Sequence, residues 1–249
     1  MGKAKILALV EGARIDTRLM EHLFRVYGID AKYEIVSYNT NIYTLYNEMF
    51  YDGKPGDMDL LQVLKEHEQD EAKKKIFDQD FTDVLLIFDL DPQDSQFSED
   101  KISAMMGYFI ESTDMGKLYL NYPMIEAFYH MRDIPDSEYN NRITTLSELR
   151  GHTYKQRVNA ENRNHDYAKF AATREECDIV IRQNIEKGWR ILCANPNEFL
   201  PDGIMILARQ LHMLREYEKL HILCTCVFFI GEYNPQLLTK NEQGRIARH

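Results

Sequence analysis

Three acidic residues directly follow two apolar runs that are typical of buried strands. Glu11 follows the run 5–10, and Asp89 and Asp91 close the run 84–88. In an open parallel sheet, ligands bind beyond the carboxyl ends of the strands, so we expect the three carboxylates to converge if the strands are neighbours. Such a cluster repels itself unless a divalent cation or shared protons offset its charge. Oxygen ligands of this kind meet the requirements of Mg²⁺.

A purely structural role for these acids stays open at this point. Aspartates after a strand commonly form turns or cap the next helix, and Glu11 would then be a solvated strand end. Gly12 weighs against that alternative, because a residue without a side chain lets the backbone approach a ligand closely. The pattern therefore favours a ligand-binding site over a simple turn.

The elements around these acids predict an α/β fold. The strand at 5–10 is followed by a helix with apolar residues at helical spacing, and then by a second strand at 33–37. Such a strand–helix–strand unit is normally a right-handed parallel crossover. Later strands are predicted at 84–88 and 117–120, and Ser98 is expected to open the helix between them.

The order of these motifs resembles the Toprim (topoisomerase–primase) domain, which has Glu-Gly after its first strand and Asp-x-Asp after a later one. Toprim proteins of bacterial defence systems, the RloB-like abortive-infection proteins and the OLD-family nucleases, are the more similar ones. Their first motif often reads Glu-Gly-x-x-Thr-Glu, and here Ile15 and Asp16 stand at its last two positions. An Asn-Pro-x-x-Glu element of the RloB-like chains is similar to 121–126, with one residue inserted. The resemblance covers roughly residues 5–130.

This resemblance implies a function and a set of roles. Glu11 would be a general acid/base or a metal ligand, Asp89 and Asp91 would hold Mg²⁺ or Mn²⁺, and Glu126 would be a further ligand. A metal there would orient a phosphodiester and lower the pKa of an attacking water. The implied protein is a divalent-metal-dependent nuclease or a related phosphodiester-processing protein, with phage defence as its setting and a protein of the defence system as a partner.

Two alternatives remain beside the nuclease. One is a non-catalytic interaction or sensor module that keeps the Toprim fold. The other is a phosphatase of the haloacid-dehalogenase type, whose aspartate motif the sequence Asp89-Leu-Asp91 also resembles. The phosphatase motif usually lies near the N-terminus, whereas this one lies mid-chain.

The predicted fold class is α/β, with a Toprim-like (Rossmann-like), mostly parallel sheet, flanking helices and a mostly helical C-terminal part. We place the core at 1–134, with a helical insertion near 39–80, and the C-terminal part at 135–249. The C-terminal part is predicted to contain two helices and a late strand, at 171–187, at 203–220 and near 221–230.

A basic stretch with interleaved tyrosines begins the C-terminal part. Its cations are candidates for binding the phosphates of DNA or RNA, and they are Lys155, Arg157, Arg163 and Lys169. Tyr154 and Tyr167 lie between them, and tyrosines can stack on unpaired bases. The alternative is a solvated polar face without a ligand.

Composition bounds these hypotheses. The chain has 249 residues, a formal net charge of −10 and 44% hydrophobic residues, a balance typical of a globular protein. The acidic excess lies wholly before residue 140. No apolar run is long enough for a membrane span or a signal peptide, and four cysteines without a CxxC pair favour a reduced, cytoplasmic protein. Cys224 and Cys226 are either half of a zinc site or two inward-facing strand cysteines, the second being favoured.

Overall fold

The computed structural model describes residues 5–29, 32–56, 59–113, 115–194 and 200–239. Its strands form one large sheet and two small two-stranded pairs. In chain order the strands are β1 (Lys5–Val10), β2 (Lys32–Ser37), β3 (Phe50–Tyr51), β4 (Lys54–Pro55), β5 (Asp83–Asp89), β6 (Ile110–Glu111), β7 (Gly116–Asn121), β8 (Ile143–Thr145) and β9 (Lys219–His221).

Helices flank the large sheet and make up most of the C-terminal part. In chain order they are α1 (Ile15–Val26), α2 (Ile42–Met49), α3 (Leu60–His67), α4 (Glu71–Lys74), α5 (Glu99–Tyr108), α6 (Leu146–Arg150), α7 (Tyr154–Glu161), α8 (Arg174–Leu192), α9 (Gly203–Tyr217), α10 (Phe228–Tyr233) and α11 (Gln236–Thr239). A 3₁₀ helix, Ile125–Tyr129, follows β7.

The large sheet has the strand order β2-β1-β5-β7-β6, and the predicted α/β fold with a mostly parallel sheet is confirmed. The β2–β1, β1–β5 and β5–β7 pairs are parallel, and β6 pairs antiparallel to β7. Residues 6–10 of β1 and 85–88 of β5 have no exposed surface. Central parallel strands are covered on both faces, which explains why their sequences are continuous apolar runs.

The chain reverses its direction of travel across the sheet at β1. It passes from β1 to β2 on one side and later returns to place β5 on the other side of β1. Val10 lies opposite Ile87 in the parallel register, and the Glu11 amide donates to the Ile87 carbonyl over 3.0 Å. The carboxyl ends of β1 and β5 therefore border a topological switch point, where open α/β sheets bind ligands.

The C-terminal part packs directly on the sheet-bearing core. Tyr122 at the end of β7 exchanges two backbone hydrogen bonds of 2.8 Å with Leu223, and α9 packs against α5. One continuous apolar cluster contains residues from both sides of residue 135. The division into parts at residue 135 stays a prediction.

The predicted late strand near 221–230 is wrong. The strand β9 ends at His221, and the apolar run continues as irregular backbone and then as α10. The amides of this run are satisfied without a regular ladder: Cys224 donates to Asn184 Oδ1 over 2.9 Å, and Cys226 donates to Asn121 Oδ1 over 3.3 Å. The segment is apolar because it is buried on all sides. At Cys224 and Cys226, buried asparagine side chains take the place of strand pairing as partners of the backbone amides.

Several helix predictions hold with shifted bounds. The two C-terminal helices predicted at 171–187 and 203–220 are α8 and α9. Ser98 caps α5 by accepting from the Lys101 amide over 3.4 Å, as its position indicated. The segment 39–80 contains α2, α3 and α4 around the short β3–β4 hairpin. Among the residues that the structure describes, none of the helices is both long enough and apolar enough to cross a bilayer.

A buried polar cluster fastens the 3₁₀ helix to α7 and β8. Neutral His130 lies 3.0 Å from Glu161, and Arg142 contacts both Glu161 and Asp136. Burial lowers the pKa of His130 to about 4. Burial raises the pKa of Glu161, but the hydrogen bond from His130 and the Arg142 guanidinium outweigh it and bring that pKa to about 2.

Replacing Glu161 with Gln should make the protein less sensitive to acid. The pKa of Glu161 is depressed in the folded state, so the stability that its charge contributes is present above its unfolded value and is lost as the pH falls toward 2. We expect Glu161→Gln to lower the unfolding free energy by about 2 kcal/mol near neutral pH and by much less in acid. Urea unfolding of both proteins across this pH range measures the difference. A loss of unfolding free energy that is the same at every pH would contradict the prediction.

Candidate functional site

The three acids that the sequence placed at strand ends lie together in the structure. One carboxylate oxygen each from Glu11, Asp89 and Asp91 lies within 4.8 Å of the other two. Glu11 directly follows β1, Asp89 is the last residue of β5, and Asp91 lies two residues farther on. Because β1 and β5 are neighbours and end at the same edge, the prediction that these residues converge is confirmed.

Backbone and amide contacts fix the orientation of this acidic cluster, which we define as Glu11, Asp89 and Asp91. The Asp89 amide donates to Glu11 Oε2 over 3.1 Å, and Asn121 Nδ2 donates to Asp89 Oδ1 over 3.4 Å. Asp91 has a φ of 40°, in the left-handed region, and its Oδ1 accepts from Gln93 Nε2 over 2.9 Å. A non-glycine residue in that region is uncommon, and its conformation turns the chain so that both aspartates face the cluster.

Asp16 is a member of the site that the sequence analysis did not include. Its Oδ1 accepts from the Gly12 amide over 3.2 Å, and a Cβ at residue 12 would lie 2.8 Å from Asp16 Oδ2. Gly12 is therefore needed for the approach of this carboxylate. The signal was present in the sequence, because Asp16 occupies the acidic position that closes the Glu-Gly-x-x-Thr-Glu motif.

An open cleft of about 400 Å³ unites these residues. Its lining is Glu11, Gly12, Ala13, Arg14, Ile15, Asp16, Asp89, Asp91, Ile125, Glu126 and Lys155. Glu126 comes from the 3₁₀ helix, and its Oε1 lies 2.9 Å from Lys155 Nζ of α7. The structure thus brings Glu126 and Lys155 to the cleft, and both were predicted as site residues.

Burial makes four carboxyl groups of this cleft, those of Glu11, Asp16, Asp89 and Asp91, hold their protons unusually tightly. Burial, followed by the Asp91 charge, raises the pKa of Glu11 to about 8. Burial likewise raises the pKa of Asp16 to about 6, that of Asp91 to about 6, and that of Asp89 well above its usual value. Lys155 shows the complementary effect, since Glu126 and the two aspartates of the cluster outweigh its burial and raise its pKa.

The donor set has the chemistry of a site for a hard cation. The acidic cluster offers three carboxylate oxygens close enough to contact one ion, and all are of the type that hard divalent cations prefer. Glu126 Oε2 is buried and has no hydrogen-bond partner within the described parts of the chain. An orphaned buried carboxylate oxygen calls for a partner, because leaving it unpaired costs free energy.

The other predicted nucleic-acid-binding cations lie away from the cleft and have partners. Arg157 pairs with Glu148 at 2.9 Å, and Arg163 pairs with Glu176 at 2.7 Å. Lys169 is exposed, and its Nζ lies 3.5 Å from Asp166. Their role in binding nucleic acid stays a prediction, and Lys155 is the only one of the four that lines the cleft.

The cysteine pair follows the favoured alternative in part. Cys224 and Cys226 are both buried and point inward, with their Sγ atoms 3.3 Å apart, but they lie outside any strand. Within the described residues, the acidic cluster is the one group of three or more ligating side chains. These residues supply no second pair to complete a zinc site.

Comparisons with protein-family models, with curated proteins and with solved structures find no match to this chain. The resemblance to the Toprim domain therefore stays a prediction from the sequence motifs.

Replacing Asp16 with Asn should stabilise the protein relative to the wild type as the pH rises. The pKa of Asp16 is raised in the folded state, so its protonated form contributes stability that is fully present near pH 4 and lost as the pH rises through about 6. In the presence of a chelator, the unfolding free energy of the variant should rise by about 2 kcal/mol relative to that of the wild type between about pH 4 and about pH 7. Urea unfolding measures this gain.

Asp80→Asn is the matched control, because Asp80 is exposed and outside the cleft. Its unfolding free energy should follow that of the wild type at every pH. A gain in this control equal to that of Asp16→Asn would show that general charge reduction, and not burial in the cleft, produces the effect.

Proposed function

We propose that this chain is a divalent-metal-dependent phosphodiesterase acting on nucleic acid, with Mg²⁺ or Mn²⁺ held by Glu11, Asp89 and Asp91. The observation that supports the proposal best is the convergence of these three carboxylates within 4.8 Å at a switch point of the sheet. The order of motifs that resembles the Toprim domain adds support. Glu126 and Asp16 complete the acidic wall of the cleft.

When bound by these residues, the cation would supply charge neutralisation and a lowered pKa for a bound water, as divalent metals do in phosphodiester hydrolysis. The chain's own residues then bind and orient the substrate. Lys155 has a side chain that is 60% exposed, and its ammonium is directed at the cleft by Glu126. A cation in that place pairs with a phosphate oxygen and holds the diester against the acidic cluster.

Glu11 is the residue suited to moving a proton. Without a cation in the cleft its pKa is about 8, so it holds a proton near neutral pH, and a divalent cation beside it would favour the loss of that proton. A general acid or base is most effective when its pKa lies near the working pH. We therefore assign Glu11 two possible roles, metal ligand and proton donor. Asp89 and Asp91 act as metal ligands only.

One observation favours a second candidate, the non-catalytic module of the same fold. Lys155 already forms an ion pair with Glu126 at 2.9 Å and offsets part of the acidic charge without a metal. In that alternative, the cleft recognises a cation or an anion and performs no turnover. Phage defence, a partner protein of a defence system and a cytoplasmic location rest on the resemblance and on composition, and they belong to the proposal.

Metal binding and hydrolysis should both depend on Asp89. Millimolar Mg²⁺ or Mn²⁺ should raise the melting temperature of the wild type, because a ligand that binds only the folded state stabilises it by mass action. Asp89→Asn should lose that shift and should lower metal-dependent cleavage of DNA, RNA or bis(p-nitrophenyl) phosphate by about a hundredfold or more. Calorimetry and product release measure the two effects.

Asp80→Asn serves again as the control and should keep both the shift and the activity. A metal-induced shift without hydrolysis of any diester would support the non-catalytic module. Hydrolysis of p-nitrophenyl phosphate alone would support the phosphatase. A wild type that shows neither a shift nor hydrolysis would contradict the metal site itself.

A further inference from the structure

A second cavity lies beside the acidic cleft, on the exposed side of α1. Its volume is about 250 Å³. Its lining combines aromatic rings with charged side chains, and it consists of Ile15, Arg18, Glu21, His22, Arg25, Phe128, Tyr129, Tyr167, Ala168 and Phe170. We call it the α1 cavity.

Aromatic rings form one wall of the α1 cavity. Tyr129 and Tyr167 stack with centroids 4.2 Å apart and planes 3° from parallel. Phe170 packs edge-on against Tyr129 at 5.7 Å, and Phe128 packs against Phe170 at 5.6 Å. Phe128, Tyr129 and Phe170 are buried and keep the wall rigid, whereas Tyr167 is only half-buried. A rigid aromatic wall with an accessible ring suits a flat, unsaturated ligand.

Basic side chains form the opposite rim. Arg18, His22 and Arg25 lie on one face of α1, at helical spacing from Ile15. His22 is held in place, because its Nε2 lies 2.8 Å from the Ala171 carbonyl and its Nδ1 lies 3.2 Å from the Arg25 guanidinium.

Arg18 is exposed and forms no ion pair with the described residues. Glu21 is the acid among the side chains that line the cavity, so the rim keeps a net positive charge.

The α1 cavity and the acidic cleft are neighbours. Ile15 lines both of them, and Arg18 follows one helical turn later, about 4.5 Å along the axis. The 3₁₀ helix that carries Glu126 into the cleft carries Tyr129 into the cavity. Burial and the Glu126 charge together raise the pKa of Tyr167, which places that ring within electrostatic reach of the cleft.

We propose that the α1 cavity seats one unpaired base of a single-stranded nucleic acid, while Arg18 contacts its backbone and the adjoining phosphodiester lies in the acidic cleft. This inference rests on the proposed function and names its substrate class. The volume is below that of pockets for drug-sized ligands, which suits a flat group of the size of one base. A base within a duplex would have to leave its partner and its stack before it could enter.

The test measures binding without cleavage. Fluorescein-labelled single-stranded oligothymidylate, the matching oligouridylate and a DNA duplex of equal length are titrated in chelator, and fluorescence anisotropy is recorded. The wild type should bind one or both single strands more tightly than the duplex. Tyr167→Ala and Arg18→Glu should each weaken single-strand binding by about tenfold or more. Tyr167→Phe should bind single strands as the wild type does, because it keeps the aromatic ring.

Arg209→Glu is the matched control, because Arg209 is also an exposed helical arginine without an ion pair to the described residues, but on α9. It should bind as the wild type does. Equal weakening by Arg209→Glu and Arg18→Glu would overturn the proposal, as would duplex binding at least as tight as single-strand binding, or no binding at all.

Hydrolysis of bis(p-nitrophenyl) phosphate by the wild type separates this inference from the proposed function. That diester has no nucleobase to place in the α1 cavity. If the wild type hydrolyses it with metal but binds no oligonucleotide, the α1 inference fails alone. If the variants show the expected binding losses but the wild type hydrolyses no diester, the proposed catalysis fails and the α1 inference stands.

Discussion

The structure around the site depends on one electrostatic constraint, the close approach of carboxylates in a cleft where partial burial removes much of their hydration. Glu11, Asp89 and Asp91 are within 4.8 Å of one another, and burial is the largest reason for their raised pKa values. Such a group is stable only when protons, a cation or a lysine balances it. When no cation is bound, the Glu126–Lys155 pair supplies part of that balance and retained protons supply the rest.

The α/β fold holds these carboxylates close together. Strands β1 and β5 are locked in register by parallel pairing and by complete burial, so the residues that follow them cannot separate without disturbing the centre of the sheet. Destabilising local arrangements persist when the surrounding structure determines them. The left-handed backbone at Asp91 is such an arrangement, and it lies at the cleft.

Much of this arrangement could be predicted from the sequence, because its signals are local. Two continuous apolar runs with acids at their ends predicted parallel strands, and the carboxylates were expected to converge if those strands were neighbours. The structure shows that they are neighbours. The irregular path of 222–227 could not be predicted, because it depends on amide partners, Asn121 and Asn184, that lie far away in the chain. For the same reason, the sequence could not show that Lys155 reaches the cleft while Arg157 and Arg163 pair with nearby acids.

Anomalous diffraction tests directly whether the acidic cluster binds a divalent cation. Crystals of the wild type and of Asp89→Asn, soaked in Mn²⁺, are compared by anomalous diffraction. We expect an anomalous peak in contact with Glu11, Asp89 and Asp91 in the wild type, and none at that place in the variant. A wild-type map with no peak there, with the three carboxylates still together and Lys155 still paired to Glu126, would contradict the metal site.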